Sequence, residues 1–106
     1  MDIYIGRELF EICVLGIIEN KDCTGYEISK VLEPYTKVLQ SRIYSVVKRL
    51  ESKKMITVIK TNSEDLPKNY YHITDLGLKK VKEFKDKWKE LFTVYEIIEN
   101  CDNQNK

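Results

Sequence analysis

The chain has 106 residues, of which 42% are apolar and 33% charged, and its formal net charge is +1. This length predicts a single domain with a real core. No apolar run is long enough to span a membrane, and the first residues lack the pattern of a secretion signal, so we expect a cytoplasmic protein. The odd set of separated cysteines (Cys13, Cys23 and Cys101) and the single histidine, His72, predict neither paired thiols nor a metal site.

The charges are unevenly distributed along the chain. Residues 37–60 contain seven lysines and arginines and one acidic residue, whereas residues 1–36 contain three basic and seven acidic residues. Nucleic-acid binding depends on such a local basic patch and not on the total charge. The sequence contains no glycine-rich phosphate loop, nucleophile elbow or carboxylate pair, so we expect neither an enzyme nor a cofactor.

Two helices are predicted in the first third of the chain. Residues 4–20 form the first, which we expect in a core or an interface. Its overlapping apolar rows contain Leu9, Ile12, Cys13, Leu15 or Gly16, and Ile17. Thr24 followed by a glutamate three residues later is typical of a capping box, which predicts a second helix that ends near Pro34. We expect Tyr26 on the core side of this second helix.

The segment from Leu39 to Lys54 predicts a third helix that is amphipathic and cationic. Its apolar stripe consists of Ile43, Val46, Val47 and Leu50, and its outward residues include Gln40, Arg42, Ser45, Lys48 and Arg49. Together with the preceding helix it forms the outline of a helix-turn-helix, in which cations suit phosphates and Arg, Gln and Ser suit base edges. Taken alone, the same pattern also fits an ordinary helix with a solvated face.

A β-hairpin is predicted after the third helix. Residues 55–61 and 68–74 read as two strands separated by a turn, with Tyr71 and Ile73 on the inward face. Such a hairpin is the wing of a winged helix, and Lys68 near its tip is placed to reach a DNA backbone or minor groove.

The last helix is predicted from its cap at Thr74 to about Cys101. Apolar residues are separated by 3, 4, 3, 4 and 3 positions, which is an a/d seam: Val81, Phe84, Trp88, Leu91, Tyr95 and Ile98. We expect the seam to pair with a second copy of the chain, the alternative being that it folds back over its own domain. The predicted fold is mainly α with a β-hairpin wing (α+β), divided into a DNA-binding part, 1–74, and a dimerisation part with a polar tail, 75–106.

Three segments resemble the PadR family of transcriptional regulators. Residues 24–28 resemble the "hGYEI" segment of that family, residues 42–51 its recognition helix, and residues 70–77 its wing-to-helix junction; Trp88 stands where many members have tryptophan. The chain differs at the wing tip, which contains two acidic residues, and after the recognition helix, where Lys53-Lys54 replaces a common glycine.

The resemblance implies a winged helix-turn-helix homodimer that binds a pseudo-palindromic double-stranded operator, usually as a repressor. The residues that we expect at the DNA are Gln40, Ser41, Arg42, Tyr44, Ser45, Lys48, Arg49 and Lys68. Some small members of the family bind planar, apolar ligands between paired tryptophans. The resemblance therefore gives four candidate ligand contacts: Phe84, Trp88, Phe92 and Tyr95.

Several interpretations remain open at this point. Each candidate DNA contact could be a solvated side chain, and Tyr44 could either contact phosphate or pack. Trp88 could fill a dimer interface without binding a ligand. The acidic wing tip is compatible with a winged-helix module that mediates protein assembly without specific DNA binding.

Overall fold

The computed structural model describes residues 5–61 and 67–104 of the chain. The elements follow the order α1 (Arg7–Asn20), α2 (Gly25–Leu32), α3 (Gln40–Ser52), β1 (Ile56–Thr61), β2 (Lys68–Ile73) and α4 (Asp75–Gln104). The predicted fold class, mainly helical with a two-stranded hairpin, is confirmed. The acidic residues of the wing turn, Glu64 and Asp65, lie outside the described residues.

The helix-turn-helix is held by side chains close in sequence. Thr24 Oγ1 accepts a hydrogen bond from the Glu27 backbone N–H at 3.2 Å, and Glu27 Oε1 accepts one from the Thr24 N–H at 3.1 Å, which confirms the capping box. Gln40 Nε2 donates to Ser29 Oγ at 2.9 Å and links the start of α3 to α2. These hydrogen bonds connect α2 and α3 within the chain itself.

The core lies between α1, α2, α3, the hairpin and the first turns of α4. Its largest fully buried side chains belong to Phe10, Leu15, Ile18, Ile28, Ile43, Leu50, Ile56, Val14 and Val47. The predicted apolar stripe of α3 is buried as expected. Of the predicted apolar row of α1, Leu15 is buried and Leu9 is exposed, because the helix turns the face of Phe10 and Val14 to the core. Ile12, Cys13 and Ile17 are partly buried.

The hairpin is antiparallel, and its inward face is the predicted one. Val58 pairs with Tyr71 and Ile56 with Ile73, and both β2 side chains are buried. On the other side of β2, Cys23 exchanges two backbone hydrogen bonds with Tyr71. This bridge joins the start of the helix-turn-helix to the wing, and the sequence pattern did not predict it.

The end of α3 and the start of α4 are hydrogen-bonded to each other. Lys54 has a φ of 63°, which ends α3 in the left-handed conformation. Thr74 Oγ1 then donates to the Lys54 carbonyl at 2.7 Å, and the Thr74 N–H donates to the Met55 carbonyl at 3.0 Å. Gly77 fits here because a Cβ at that position would lie 2.4 Å from the Met55 carbonyl oxygen.

The helix α4 begins in the core and continues beyond it. Its 30 residues correspond to about 45 Å, in a molecule with a longest dimension of 65 Å. Val81 is 3% exposed and packs in the core of its own chain, so its predicted place in a seam between two copies is corrected. Among the described residues, no helix combines the length and apolar character required to cross a membrane.

Candidate nucleic-acid interface

The outward face of α3 is polar and open. Ser41, Tyr44, Ser45 and Lys48 are exposed on successive turns, on the side of the helix opposite its buried stripe. Hydroxyls and an ammonium on a rigid helix are groups that contact base edges and phosphates. The structure thus brings four of the predicted DNA-binding residues together on one continuous surface.

Arg42 has a different position from the one its sequence context predicts. Its guanidinium donates to the Ile5 carbonyl and lies over the Phe10 ring, with Cζ 4.0 Å from the ring centroid. The side chain is therefore half-buried, and it lines a groove with Ser41 and Ser45 at the edge of the outward face. A base contact by Arg42 stays a prediction that requires these contacts within the chain to open.

Arg49 is also held by α1. Arg49 Nε donates to Glu11 Oε1, while Lys53 Nζ lies 3.5 Å from Glu11 Oε2. The Glu11 side chain is only 9% exposed, so these two cations compensate a buried carboxylate. The expectation that Arg49 faces outward is corrected, because its side chain is 26% exposed and paired with Glu11.

Tyr44 and Lys48 occupy a groove between α3 and the hairpin. The groove has a volume of about 230 Å³ and is also lined by Glu51, Lys60 and Asn69. Lys48 Nζ lies 5.0 Å from the centroid of the Tyr44 ring, and a hydrogen bond with Tyr44 raises the pKa of Lys48.

Lys60 and Asn69 were missed as candidate residues. They are cross-strand partners in the hairpin, on the same face as Val58 and Tyr71. The alternation of side chains along β1 and β2 predicts this position, because residues two apart on a strand share a face. The hairpin therefore adds a second lysine beside Lys48.

The other side of the helix-turn-helix is formed by the start of α2 and by β2. Tyr26 is 63% exposed, so the expectation that it packs in the core is wrong. The core position on this part of α2 is occupied by Ile28, which is completely buried. Tyr26 lines one groove with Lys68 and Asn69 of the hairpin and another with Lys37 and Gln40.

The exposed part of α4 carries the remaining predicted residues. Trp88, Leu91, Tyr95 and Ile98 of the seam are about half exposed, and Phe92 is exposed beside them. The Phe84 and Trp88 rings are tilted with centroids 5.8 Å apart, and the Phe92 and Tyr95 rings are stacked at 6.2 Å. Phe84 is half-buried, whereas Trp88, Phe92 and Tyr95 present apolar surface that their own domain leaves exposed.

Comparisons with known proteins place this architecture in a family. The profile of the family described as "Transcriptional regulator PadR-like family" matches residues 14–83. No curated protein matches the chain.

Solved structures of PadR-family regulators are also similar to this chain. A PadR family transcription regulator from hypervirulent Clostridium difficile is 32% identical, with 79% of this chain and 91% of that chain covered and a TM-score of 0.72. A PadR-like transcriptional regulator from Bacillus cereus is 33% identical, with 87% and 92% covered and a TM-score of 0.74.

A third structure, that of Bacillus subtilis PadR in complex with operator DNA, shares the fold. It is 23% identical, with 74% of this chain and 48% of that chain covered and a TM-score of 0.68. The resemblance inferred from the sequence motifs is confirmed, as is the expectation that the chain is not an enzyme. The chain belongs to the PadR-like family of transcriptional regulators.

Proposed function

We propose that this protein is a homodimeric, sequence-specific repressor that binds a pseudo-palindromic operator in the cytoplasm. The observation that carries the proposal is the open polar face of α3, presented by a rigid helix-turn-helix next to a hairpin with further lysines. Residues 1–74 supply the DNA-binding part and residues 75–106 the dimerisation part, although the first turns of α4 also complete the core.

The contacts of the free protein favour an order among the candidate DNA-binding residues. Ser41, Tyr44, Ser45 and Lys48 are exposed on α3, and Lys68 is exposed at the start of β2. They can meet DNA without losing a contact to a distant part of the chain. Arg42 and Arg49 must first leave their partners on the N-terminal segment and α1. Gln40 Nε2 already donates a hydrogen bond to Ser29 Oγ. The second N–H and the Oε1 atom of Gln40 are therefore available to a base.

The uncovered surface of α4 supports a homodimer. Large apolar residues from Trp88 to Ile98 recur at a/d spacing and stay exposed in the single chain, which is costly in water. The same helix of a second copy has matching spacing, and a two-fold arrangement would present two α3 helices to one face of DNA. Half-sites separated by about 34–36 Å, one turn of the duplex, would then be read together.

The aromatic groups of α4 support ligand-controlled release as a second part of the proposal. Phe84, Trp88, Phe92 and Tyr95 offer ring faces on which a planar, apolar molecule can stack between two copies. Trp88 is the only tryptophan, so its fluorescence reports this region directly. Quenching by a panel of planar cationic dyes would support a ligand pocket, whereas unchanged fluorescence would leave Trp88 as an interface residue.

The proposal is tested with DNA from the region upstream of the protein's own gene. We expect a gel shift at protein concentrations where an unrelated duplex of equal length gives none. Lys48→Gln should weaken binding by about 1 kcal/mol or more, and Arg42→Gln should have a smaller effect because Arg42 is engaged within the chain. Sedimentation of the protein alone should show dimers.

The outcomes separate the two candidate functions. Equal binding to every duplex, or no binding at all, would contradict a sequence-specific regulator and favour the assembly module. Single chains at micromolar concentration would contradict the dimer.

A further inference from the structure

Two pairs of residues with the same geometry occur on the two helices of the helix-turn-helix. Tyr44 and Lys48 stand four residues apart on α3, and Tyr26 and Lys30 stand four residues apart on α2. The lysine Nζ lies 5.0 Å from the ring centroid in the first pair and 5.2 Å in the second. Both tyrosines are more than half exposed. Each pair therefore presents a ring, a hydroxyl and an ammonium to solvent as one unit.

The pair on α2 lies beside the start of α3. Tyr26 and Lys30 line a groove of about 480 Å³ with Lys37 and Gln40. Ser29 Oγ donates to the Tyr26 carbonyl at 2.6 Å and accepts from Gln40 Nε2, so the position of this turn of α2 is tied to α3. On its other side, Tyr26 shares a groove of about 550 Å³ with Lys68. A duplex lying along α3 would have its backbone close to this surface.

The charges around this pair favour an anion. Lys30 is accompanied by Lys37 and Lys68, each in a groove that Tyr26 lines. Two carboxylates oppose this charge. Glu33 Oε2 lies 3.3 Å from Lys30 Nζ in a pair that is more than half exposed on both sides. Glu27 lines the groove with Lys68, and its Oε2 is paired with Lys21 Nζ at 3.3 Å. Exposed pairs of this kind contribute little energy, so a phosphate can compete for the ammonium. In helix-turn-helix proteins the first helix crosses the DNA backbone, which agrees with this placement.

We propose that Tyr26 and Lys30 form a second phosphate contact, on the α2 side of α3, as the counterpart of Tyr44 and Lys48 on the wing side. The ligand is the DNA backbone, bound through the tyrosine hydroxyl and the lysine ammonium. This inference rests on the proposed DNA-binding function. It assigns α2 a role in affinity that does not depend on base sequence, since phosphate contacts position the protein and carry no direct sequence information.

The test measures DNA affinity as a function of salt with a labelled duplex. Lys30→Gln should weaken binding to the upstream duplex and to an unrelated duplex by the same factor. It should also make the negative slope of log K against log salt shallower by about 0.9. The affinity lost between 50 and 200 mM salt is then about threefold smaller than for the unmodified protein. Tyr26→Phe, which keeps the ring, should weaken binding without changing the slope.

Two further variants control for charge and folding. Lys79→Gln removes an exposed lysine on α4 that also pairs with a glutamate, Glu83, and it should leave the slope unchanged. Glu33→Gln removes the competing carboxylate and should strengthen binding, the opposite sign from Lys30→Gln. Circular dichroism melts verify that each variant is folded.

The outcomes distinguish this inference from the proposed function. If the unmodified protein binds DNA while Lys30→Gln and Lys79→Gln give the same slope, the α2 contact is refuted and the DNA-binding function stands. If the unmodified protein binds no duplex, both are refuted.

Discussion

The buried carboxylate of Glu11 gives the sharpest prediction about stability. Glu11 lies on α1 but compensates two cations of the α3 segment, Arg49 and Lys53, which are 38 and 42 positions away in the sequence. Glu11→Gln preserves the size of the side chain and removes its charge. Arg49 then keeps at most a neutral acceptor, and Lys53 loses its ionic partner.

The magnitude follows from the exposure of the three groups. Breaking a fully buried ion pair by removing one partner costs about 3–5 kcal/mol. Here only the carboxylate is buried, while the side chains of Arg49 and Lys53 are 26% and 46% exposed, so water can solvate the cations that remain. We therefore expect Glu11→Gln to lower the free energy of unfolding by about 1–3 kcal/mol.

The assay is urea denaturation followed by circular dichroism at one fixed protein concentration, because an oligomer's stability depends on concentration. The expected decrease corresponds to a fall of the midpoint by about 1–2 M urea. Glu8→Gln is the matched control, since Glu8 is an exposed residue on the same helix. Equal midpoints for the two variants would refute the argument that the Glu11 charge is compensated in the folded state.

Three further predictions follow from the backbone and the caps. Lys54→Gly should raise the free energy of unfolding by about 1 kcal/mol, because glycine adopts the φ of 63° without steric cost; a decrease in the urea midpoint would contradict this. Gly77→Ala should lower the free energy of unfolding by about 1–3 kcal/mol, since the added Cβ meets the Met55 carbonyl, and an unchanged thermal midpoint would show that the backbone yields freely. The backbone N–H of Thr24 lowers the pKa of Glu27, so the folded state favours the ionised carboxylate; this contribution is present above the ordinary pKa of about 4.3 and is lost as the pH falls through the lowered value. Stability measured against pH should consequently fall less steeply in acid for Glu27→Gln than for the unmodified protein, and identical profiles would exclude Glu27 as the titrating group.

The location of the elements was accessible from the sequence because each signal is local. The capping box at Thr24 begins α2, and the spacing of four and three positions between Ile43, Val47 and Leu50 indicates α3. The alternation through Tyr71 and Ile73 sets the inward face of the hairpin. These signals depend on backbone periodicity and on hydrogen bonds between neighbours, which do not require the rest of the fold. The apolar seam of α4 was visible for the same reason.

The contacts of the charged side chains depend on the tertiary structure. Periodicity places Arg42 and Arg49 off the apolar stripe of α3. It does not say that the Ile5 carbonyl, just before α1, lies next to Arg42, or that the Glu11 carboxylate of α1 lies next to Arg49. In the same way, only the packed structure showed that Val81 fills the core. A helix pattern determines which residues share a face, whereas the neighbouring element, distant in sequence, determines whether that face meets water, a partner or the interior of its own domain.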